Sequence, residues 1–520
     1  MKTRILIFLF IAFVFIFNLG ERTLENQDNI RFAEVGREIL ETGDWIMMHL
    51  SGEVYVDKPP LHFWNIALSY KIFGVNSFGA RFPSAFFAIL GVFSILFFGN
   101  IVDKENPKTS IYSAFFLCSS YAYLNYARSA RIDLEFSVLF SISLILFYIG
   151  FSSEKNKLRA LFYALFWFFV GLAFLSKGPI VFLSVIIAII YLLAQRDVKR
   201  SGIKEFVLTS VVVLIIVTPW IYFLIKHKEF EEYLYLLRNS KIMTRRESFY
   251  YYLYAFPLNY FPATIFTAIS IPAIWKLRKE IKRQSGVFFC IVWCVVYFIM
   301  VHFTIAKNIR YLLPIFIPIS IVTAWAIQRV RYGRDYVTKI KKYILLISLI
   351  IGIFVTISPT VWVIYKKTFS INAFLITVIG LILLFFTYVR LKDVIIFTCI
   401  LCIIGFLSVD VIRASFNSKV SYSLEIYNLL KENKIDADEI ILYRIDPEVR
   451  KRLSFYFNRL ITQKDEPLRF DNKIKVLITS PHAINDLFAL YGVKYKYVRI
   501  KNRQGKDDHD IYVVFLKKVS

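Results

Sequence analysis

Short polar stretches with closely spaced carboxylates and cations interrupt an otherwise apolar chain. In QDNIRFAEVGREILET (27–42), Asp28 and Arg31 are three residues apart, so a helix would place them on one face of its first turn. In DKPP (57–60), Lys58 precedes two prolines, which exclude a helix and favour an extended backbone at Lys58. An ammonium held on a stiff turn is a suitable phosphate ligand. Structural alternatives stay open: Asp28 as a helix cap, and Lys58 as a cation whose stem lies along apolar surface.

Further charged residues stand at the ends of the apolar runs. YARSARIDLEF (126–136) holds four charges in a short junction, and SKGP and AKNIRYLLP place three cations at helix ends. Charge is costly close to hydrocarbon, so charged residues at such positions are candidates for function. A segment at 226–257 adds two arginines among tyrosines, although aromatic and basic residues are also ordinary membrane anchors. The residues concerned are Arg128, Arg131, Asp133, Glu135, Lys177, Arg245, Arg246, Lys307 and Arg310.

The elements that carry these residues are predicted to be membrane-spanning helices. Hydrophobic residues make up 57% of the 520 residues and the mean hydropathy is +0.56, which is too apolar for an ordinary soluble protein. We therefore expect a polytopic α-helical membrane protein with about thirteen transmembrane helices. The candidate spans are 4–20, 82–101, 110–126, 134–151, 160–176, 179–195, 205–225, 258–275, 286–303, 311–328, 343–363, 370–388 and 393–410.

The net charge of +26 is sorted by loop. If the amino terminus is cytoplasmic, loops on that side such as QRDVKRSGIK and KLRKEIKRQS are strongly basic, which is the positive-inside pattern. The excess charge therefore reflects topology, and nucleic acid is not expected as a partner. All five cysteines lie in apolar runs, so neither a disulfide nor a zinc site is indicated.

On this topology the charged candidates lie on the outer face, in the segments 21–81 and 226–257 and in the junctions near 127–133, 177–179 and 304–310. Phe32, Val35 and Ile39 form one apolar stripe of a predicted surface helix. Gly43 is predicted to end this helix. From about residue 420, strand-length runs alternate with helical pieces. We predict a transmembrane domain over 1–419 that includes both outer segments, and an extracytoplasmic α/β domain over 420–520. DDHD (507–510) is interpreted as a solvated turn.

Five motifs resemble those of the GT-C class of membrane glycosyltransferases. In chain order they are D-x-x-R-F-A-E-x-x-R-E-I-L-x-x-G-D-W, Y-x-D-K-P-P-L-x-F-W, A-R-x-x-R-x-D, L-x-K-G-P and K-x-x-R-Y-L-L-P. The branch resembled is that of the bacterial lipid A aminoarabinose transferases, within the protein mannosyltransferase superfamily. The resemblance covers nearly the whole chain. It implies transfer of a sugar from a polyprenyl-phosphate carrier to lipid A, another glycolipid or a protein, on the outer face of the cytoplasmic membrane.

The resemblance also implies roles for single residues. Asp28 and Asp133 match the two acidic positions of the family, and Lys58 matches the lysine of its K-P-P turn. In such a reaction Asp28 would be a general base toward an acceptor hydroxyl, or would orient the acceptor if it is a phosphate, while Asp133 would orient the neighbourhood of Asp28. Tyr311 and Arg245 match less closely than the others. The predicted donor-phosphate and substrate ligands are Arg31, Tyr55, Lys58, Arg128, Arg131, Arg245, Lys307, Arg310 and Tyr311.

The chain also departs from the aminoarabinose enzymes. They usually show D-E-T-R-Y-A-E and F-E-K-P-P, where this chain has Asn29, Ile30, Phe32 and Asp57, and it has no histidine near Ser240. These differences leave the sugar, the acceptor and a divalent metal open, with Asp57 as the candidate metal ligand. No other cofactor is expected, and we expect a monomer. Two other classes stay open: a transporter or flippase for a polyprenyl-linked lipid, although no inverted repeat is visible, and a non-catalytic membrane scaffold.

Overall fold

The structure is a computed structural model of the 520-residue chain. The predicted ligand Arg245 and the DDHD run lie outside the residues that it describes. The described residues are 10–24, 27–195, 202–243, 247–279, 281, 285–304, 307–329, 349–350, 353–354, 356–362, 364–365, 371–388, 393–464, 475–480, 483, 496–500 and 511–516.

The helices before residue 420 follow one another with short connections. Two 3₁₀ turns, Pro179–Val181 and Ile309–Leu312, interrupt the series. In chain order the α-helices are α1 Gln27–Thr42, α2 Leu61–Phe73, α3 Ser77–Val102, α4 Lys108–Ser119, α5 Tyr121–Ala127, α6 Ile132–Ser152, α7 Asn156–Lys177, α8 Phe182–Ala194, α9 Ile203–Leu208, α10 Val211–Lys226, α11 Phe230–Met243, α12 Tyr251–Asn259, α13 Ala263–Leu277, α14 Gly286–His302, α15 Leu313–Arg329, α16 Ile371–Phe386 and α17 Val394–Val420.

Several of these helices are long and apolar enough to cross a membrane. Six helical segments of the described chain meet this criterion, and α12 with α13, bent by 112°, would make a seventh. Helix is favoured there because hydrocarbon offers no partner for backbone N–H and C=O groups. The predicted polytopic helical membrane class is therefore confirmed. The six segments are Ser77–Val102, Ile132–Ser152, Asn156–Lys177, Ile203–Lys226, Ile309–Arg329 and Val394–Ala414.

Some predicted spans differ from the observed helices. The predicted span 110–126 is two shorter helices, α4 and α5, because Ser120 between them is extended with ψ 130°. The predicted spans 179–195, 286–303 and 370–388 correspond to shorter apolar helices, Pro179–Ala194, α14 and α16. The predicted spans 4–20 and 343–363 lie partly outside the described residues.

The chain divides into two compact units. Most of the outer segment 21–81, which we predicted as part of the domain 1–419, is grouped with the carboxy-terminal residues. The first unit consists of Met1–Asn18, Val56–His62 and Pro83–Ile412. The second consists of Leu19–Tyr55, Phe63–Phe82 and Arg413–Ser520.

In the first unit, α6 and α7 form an antiparallel hairpin packed by aromatic side chains. The two helices contact each other along their length. The ring centroid of Phe147 on α6 lies 5.7 Å from that of Tyr163 on α7 and 5.9 Å from that of Phe289 on α14. Because α6 and α7 have similar lengths and are joined by a short link, the first turn of α6 lies beside the last turn of α7. This arrangement positions the charges described below.

The second unit contains a short antiparallel hairpin and a mixed five-stranded sheet, and the sheet is the one that the α/β pattern predicted. The hairpin strands are β1 His49–Leu50 and β2 Glu53–Val54. The helices are α18 Tyr422–Glu432 and α19 Pro447–Phe457, and the strands of the sheet are β3 Ile440–Tyr443, β4 Thr462–Lys464, β5 Val476–Thr479, β6 Lys496–Ile500 and β7 Ile511–Phe515. The strand order is β4, β3, β5, β7, β6, with β3 parallel to β4 and β5, and β7 antiparallel to β5 and β6. All four residues of β3 and of β5 are buried, as is typical of central parallel strands.

Helix α1 belongs to the second unit and packs against α19. It ends at Thr42, and Gly43 adopts φ +72°, so the predicted stop is confirmed. The predicted stripe is buried, with Phe32 3%, Val35 0% and Ile39 1% exposed. Helix α2 contributes to this burial within the unit, since the rings of Phe32 and Phe63 meet with centroids 5.6 Å apart.

The polar face of α1 is also buried, which the amphipathic pattern did not predict. Arg37 is 1% exposed and donates to Glu34 over 2.8 and 2.9 Å. Glu38 accepts the backbone N–H groups of Ser51 and Gly52 over 2.6 and 2.9 Å. Buried charges require partners of this kind, so this part of the first motif stabilises the fold.

Gly36 allows α1 to approach α2 closely, and we predict that Gly36→Ala destabilises the protein. A Cβ at Gly36 would lie 2.4 Å from Cγ2 of Ile66. Overpacking of this kind costs about 1–3 kcal/mol. The measurement is the thermal unfolding midpoint of the purified protein in detergent. Because Ile66 is buried, Ile66→Ala lowers the midpoint by itself, but in that background, which lacks the clashing methyl, the further loss caused by Gly36→Ala should be smaller. An unchanged midpoint in Gly36→Ala alone would refute the close contact.

Candidate active site

A buried carboxylate surrounded by cations forms the centre of the candidate site in the first unit. Asp133 is 2% exposed and lies in the first turn of α6. Lys177 Nζ donates to its Oδ1 over 2.6 Å, and Arg131 Nε donates to its Oδ2 over 3.3 Å. Arg310 Nε lies 3.9 Å from Oδ1. We call Asp133, Lys177, Arg131 and Arg310 the Asp133 cluster.

Three separate elements bring the cluster together. The α6–α7 hairpin places Lys177, in the last turn of α7, beside Asp133, and Gly178 ends α7 with φ +81°. Arg131 directly precedes the first residue of α6. Arg310 lies in the 3₁₀ turn Ile309–Leu312, and its backbone N–H donates to Oδ1 of Asn308 over 3.2 Å. The four charged residues of the cluster, which span 180 positions of the sequence, are therefore neighbours in the structure.

The cluster carries more positive than negative charge. Three cations and one carboxylate give a formal charge of +2, and all four side chains are less than a quarter exposed. Partial burial strengthens the attraction of such cations for an anion. Lys177 Nζ also lies 5.0 Å from the centroid of the Tyr311 ring, whose π face favours a cation. The arrangement is suited to binding a phosphate and to stabilising negative charge that develops on it.

The K-P-P turn lies beside the end of α7. Lys58 Nζ donates to Oδ1 of Asp57 over 2.8 Å, and both side chains are about a quarter exposed. The ammonium of Lys58 is close enough to Lys177 to repel it. A Cβ built on Gly178 would lie 4.0 Å from Cγ of Pro59, so the turn and the end of α7 are in contact range. Lys58 therefore adds a fourth cation near the Asp133 cluster.

A buried histidine–glutamate pair joins this turn to the helix that carries Asp133. Nδ1 of His62, in the first turn of α2, lies 2.9 Å from Oε2 of Glu135, in the first turn of α6, and both side chains are 0% exposed. Sequence reasoning counted Glu135 only as one of four charges and gave His62 no role. The available signal was a histidine two residues after the K-P-P turn and an acid two residues after Asp133.

We predict that His62→Leu, which replaces the imidazole by an apolar side chain of similar size and removes the nitrogen that contacts Glu135, destabilises the protein. Loss of a hydrogen bond to a buried carboxylate costs about 2 kcal/mol. The unfolding midpoint in detergent measures the effect. Glu135→Gln keeps an acceptor oxygen and should lose less, whereas equal midpoints for the wild type and His62→Leu would show that the pair contributes nothing.

Asp28, Arg31 and Tyr55 lie in the second unit. Arg31 donates to Oδ1 of Asp28 over 2.8 Å, as their three-residue spacing predicted, and the two side chains are 29% and 26% exposed. Tyr55 is 9% exposed and packs edge-on against Phe63, with ring centroids 5.7 Å apart. Asp28 is thus an accessible carboxylate beside a guanidinium, which fits a group that exchanges a proton with a substrate.

Two predicted ligands, Arg128 and Lys307, bind groups other than Asp133. Arg128 is 1% exposed and donates to Oδ2 of Asp410 over 2.8 Å and to backbone carbonyls of residues 14, 15 and 17. A buried guanidinium needs these acceptors, so a structural role fits Arg128 better than the substrate contact predicted for it. Lys307 donates to the carbonyl of Thr304 over 2.9 Å. Among the described residues, the cations within 4.0 Å of the Asp133 carboxylate are Arg131, Lys177 and Arg310.

The candidate metal ligand Asp57 holds the ammonium of Lys58. Among the residues that the structure describes, no group of three or more His, Cys, Asp or Glu side chains is arranged to hold a metal ion. A carboxylate paired with a cation does not match the all-oxygen donor set of a divalent ion such as Mg²⁺ or Ca²⁺. No chemical step is therefore assigned to a metal.

Comparison with solved structures defines the class of the fold. ArnT from Cupriavidus metallidurans bound to undecaprenyl phosphate matches with a TM-score of 0.73 and 17% identity, over 99% of this chain and 98% of that one. Its apo state matches with a TM-score of 0.72 and 18% identity. The chain has the fold of this membrane protein, and the predicted resemblance to the GT-C class is confirmed.

Sequence comparisons point to a particular branch. The family model described as dolichyl-phosphate-mannose-protein mannosyltransferase matches residues 57–223. An uncharacterized protein of Aquifex aeolicus is 28% identical over 62% of this chain and 64% of its own length. The undecaprenyl phosphate-alpha-4-amino-4-deoxy-L-arabinose arabinosyl transferases of Yersinia enterocolitica and Edwardsiella ictaluri are 26% and 24% identical, over 61% and 65% of this chain. The chain spans 58% and 61% of these two relatives, less than two thirds of each. It resembles the lipid A aminoarabinose transferases, as its motifs predicted.

Proposed function

We propose that this protein is a glycosyltransferase that moves a sugar from a polyprenyl-phosphate donor to lipid A or another extracytoplasmic glycolipid. The observation that carries the proposal is the Asp133 cluster, where three cations surround one buried carboxylate beside the K-P-P turn. Such a site suits the phosphate of a lipid carrier. The similarity in fold to a protein solved with undecaprenyl phosphate supports the same class of donor.

The proposed reaction is a substitution at the anomeric carbon of the sugar. The bond between this carbon and the phosphate oxygen breaks, and the electron pair leaves with the polyprenyl phosphate. An oxygen of the acceptor forms the new bond to the same carbon. If the acceptor is a hydroxyl, its proton passes to Asp28; if it is a phosphate, no proton is removed, and Asp28 orients it.

The cations supply most of the rate enhancement in this proposal. Lys177, Arg310 and Lys58 stabilise the charge that accumulates on the departing phosphate. Asp133 fixes the positions of Lys177 and Arg131, so that these cations are arranged before the donor binds. Because the phosphate is already a good leaving group, positioning and electrostatic stabilisation are the main tasks left to the protein.

The proposal places the reaction at the outer face of a bacterial cytoplasmic membrane. The basic loops assigned to the inner side support this orientation, with the carboxy-terminal sheet domain outside. The partners are then the polyprenyl-phosphate sugar, the acceptor and the surrounding membrane lipids, and the protein acts as a monomer. A protein acceptor is the second candidate, because the matching family model describes protein mannosyltransferases.

The test compares the lipid A, surface glycans and membrane proteins of cells with and without this protein by mass spectrometry. The proposal expects one glycosyl mass increment to disappear from lipid A or another glycolipid when the protein is removed. An increment lost from proteins would favour the second candidate. Identical masses in all three fractions, under conditions where the protein is produced, would contradict both.

A further inference from the structure

Two buried hydrogen-bond donors of the first unit lie side by side without an acceptor. Tyr233 on α11 is 2% exposed and Trp220 on α10 is 4% exposed. Neither Oη of Tyr233 nor Nε1 of Trp220 has a hydrogen-bond partner within the described part of the chain. Their rings meet edge-on with centroids 5.1 Å apart. Because buried donors are nearly always paired in proteins, two adjacent unpaired ones indicate a place where a ligand supplies the acceptors.

The Tyr233 hydroxyl lies next to the motifs that form the candidate site. A Cβ built on Gly178 would be 3.2 Å from Tyr233 Oη, and Gly178 directly follows Lys177 of the Asp133 cluster. The same position is 4.0 Å from Pro59 of the K-P-P turn. With φ +81° and this close neighbour, Gly178 has no room for a larger side chain without displacing the hydroxyl.

The Tyr233 phenol is held in its protonated form. Burial, and in addition the negative charge of Asp57, raise its pKa above the ordinary value. At neutral pH the hydroxyl therefore offers a proton to an acceptor, as the indole N–H of Trp220 always does. The matching chemistry on a ligand is an oxygen atom with free lone pairs.

We propose that Tyr233 and Trp220 form a subsite for the head group of the donor lipid, in which the phenol O–H and the indole N–H each donate to an oxygen of its phosphate or its sugar. The subsite rests on the proposed function, since it names a further part of the same donor site. Tyr233 is then a ligand-binding residue in the described part of the segment 226–257. The ligand that the sequence predicted in this segment is Arg245. Aromatic rings with a few placed donors are a common lining of such sites.

The test removes one oxygen atom from the subsite by Tyr233→Phe. Dissociation constants are measured with purified protein in detergent for two probes, undecaprenyl phosphate and undecaprenyl phosphate linked to 4-amino-4-deoxy-arabinose. We expect Tyr233→Phe to weaken binding about tenfold, the loss of one hydrogen bond to a ligand oxygen. We expect its unfolding midpoint to stay the same or rise, because the change removes an unpaired buried polar group. Trp220→Phe should also weaken binding.

Tyr123→Phe is the matched control. Tyr123 is also a buried tyrosine of the first unit, but its hydroxyl donates to the carbonyl of Ala88 over 2.9 Å. This variant should lower the unfolding midpoint and leave both dissociation constants unchanged. Tyr233→Phe should therefore weaken binding without loss of stability, whereas Tyr123→Phe should lose stability without weaker binding.

The two probes identify the oxygen that is recognised. Weaker binding of both lipids by Tyr233→Phe assigns the contact to the phosphate, and weaker binding of the sugar-linked lipid alone assigns it to the sugar. Unchanged binding of both lipids overturns the subsite while leaving the proposed function intact, as does a lowered midpoint without a change in affinity. If the wild type binds neither lipid, the proposed function and the subsite both fail.

Discussion

Asp133→Asn is expected to reduce sugar transfer by about 100-fold or more and to destabilise the protein. The carboxylate holds Lys177 at 2.6 Å and Arg131 at 3.3 Å, and an amide cannot hold either cation by charge. Displacement of catalytic groups by about 1 Å costs about 100-fold in rate. Removing one partner of a buried ion pair costs about 3–5 kcal/mol. The measurements are the initial rate of transfer by purified protein and its unfolding midpoint.

Asp103→Asn is the control for loss of stability alone. Asp103 is another buried aspartate of the first unit, 4% exposed, and accepts hydrogen bonds from Arg329 over 2.9 and 3.0 Å. It lies in the loop DKENPK, which the charge pattern assigns to the inner side. We expect this variant to be destabilised with its affinity for undecaprenyl phosphate unchanged. If both variants lose stability and neither loses donor affinity or activity, the Asp133 cluster is structural.

Asp28→Asn is expected to reduce transfer to a hydroxyl acceptor by about 1,000-fold while leaving the fold intact. General base catalysis contributes on this order, and an asparagine cannot accept the proton. The ion pair of Asp28 with Arg31 is about a quarter exposed, so its loss should cost less than about 1 kcal/mol. Donor binding and the unfolding midpoint should therefore stay near the wild-type values, while the transfer rate falls.

Asp44→Asn is the matched control for this change. Asp44 also lies in the outer segment and in the second unit, but its carboxylate accepts backbone N–H groups of Ile46 and Met47 over 2.9 Å each. We expect it to lose some stability and to keep its transfer rate. Undiminished transfer by purified Asp28→Asn, with a hydroxyl as the established acceptor, would refute the role of Asp28 as base.

Local patterns in the sequence predicted the parts of the structure that depend on neighbouring residues. The three-residue spacing of Asp28 and Arg31 produced their ion pair, and Gly43 ended α1 because it can adopt a positive φ. The apolar runs predicted the membrane helices, since hydrocarbon forces backbone groups to pair within each segment. The cations at the ends of these runs were also identified, although their partners were not.

Contacts between distant segments were not predictable in the same way. Arg128 and Arg131 are three residues apart in the same motif and have similar neighbours in the sequence. In the structure Arg128 binds Asp410, whereas Arg131 binds Asp133. The pair of His62 and Glu135 joins residues 73 positions apart, and neither residue type signals its partner. The burial of Arg37 depends on packing that the periodicity of α1 does not contain.

The central claim is that a polyprenyl-phosphate sugar is the donor, and one reaction tests it most directly. Purified wild-type protein, Asp133→Asn and Lys177→Met are each incubated with a lipid extract from the cells in which the protein occurs, and polyprenyl phosphate and glycosylated products are quantified by mass spectrometry. The account predicts that the wild type releases polyprenyl phosphate and forms an equal amount of glycosylated acceptor, and that both variants are at least about 100-fold slower. A wild-type protein that forms no glycosylated product, or variants that form it as fast as the wild type, would contradict the account.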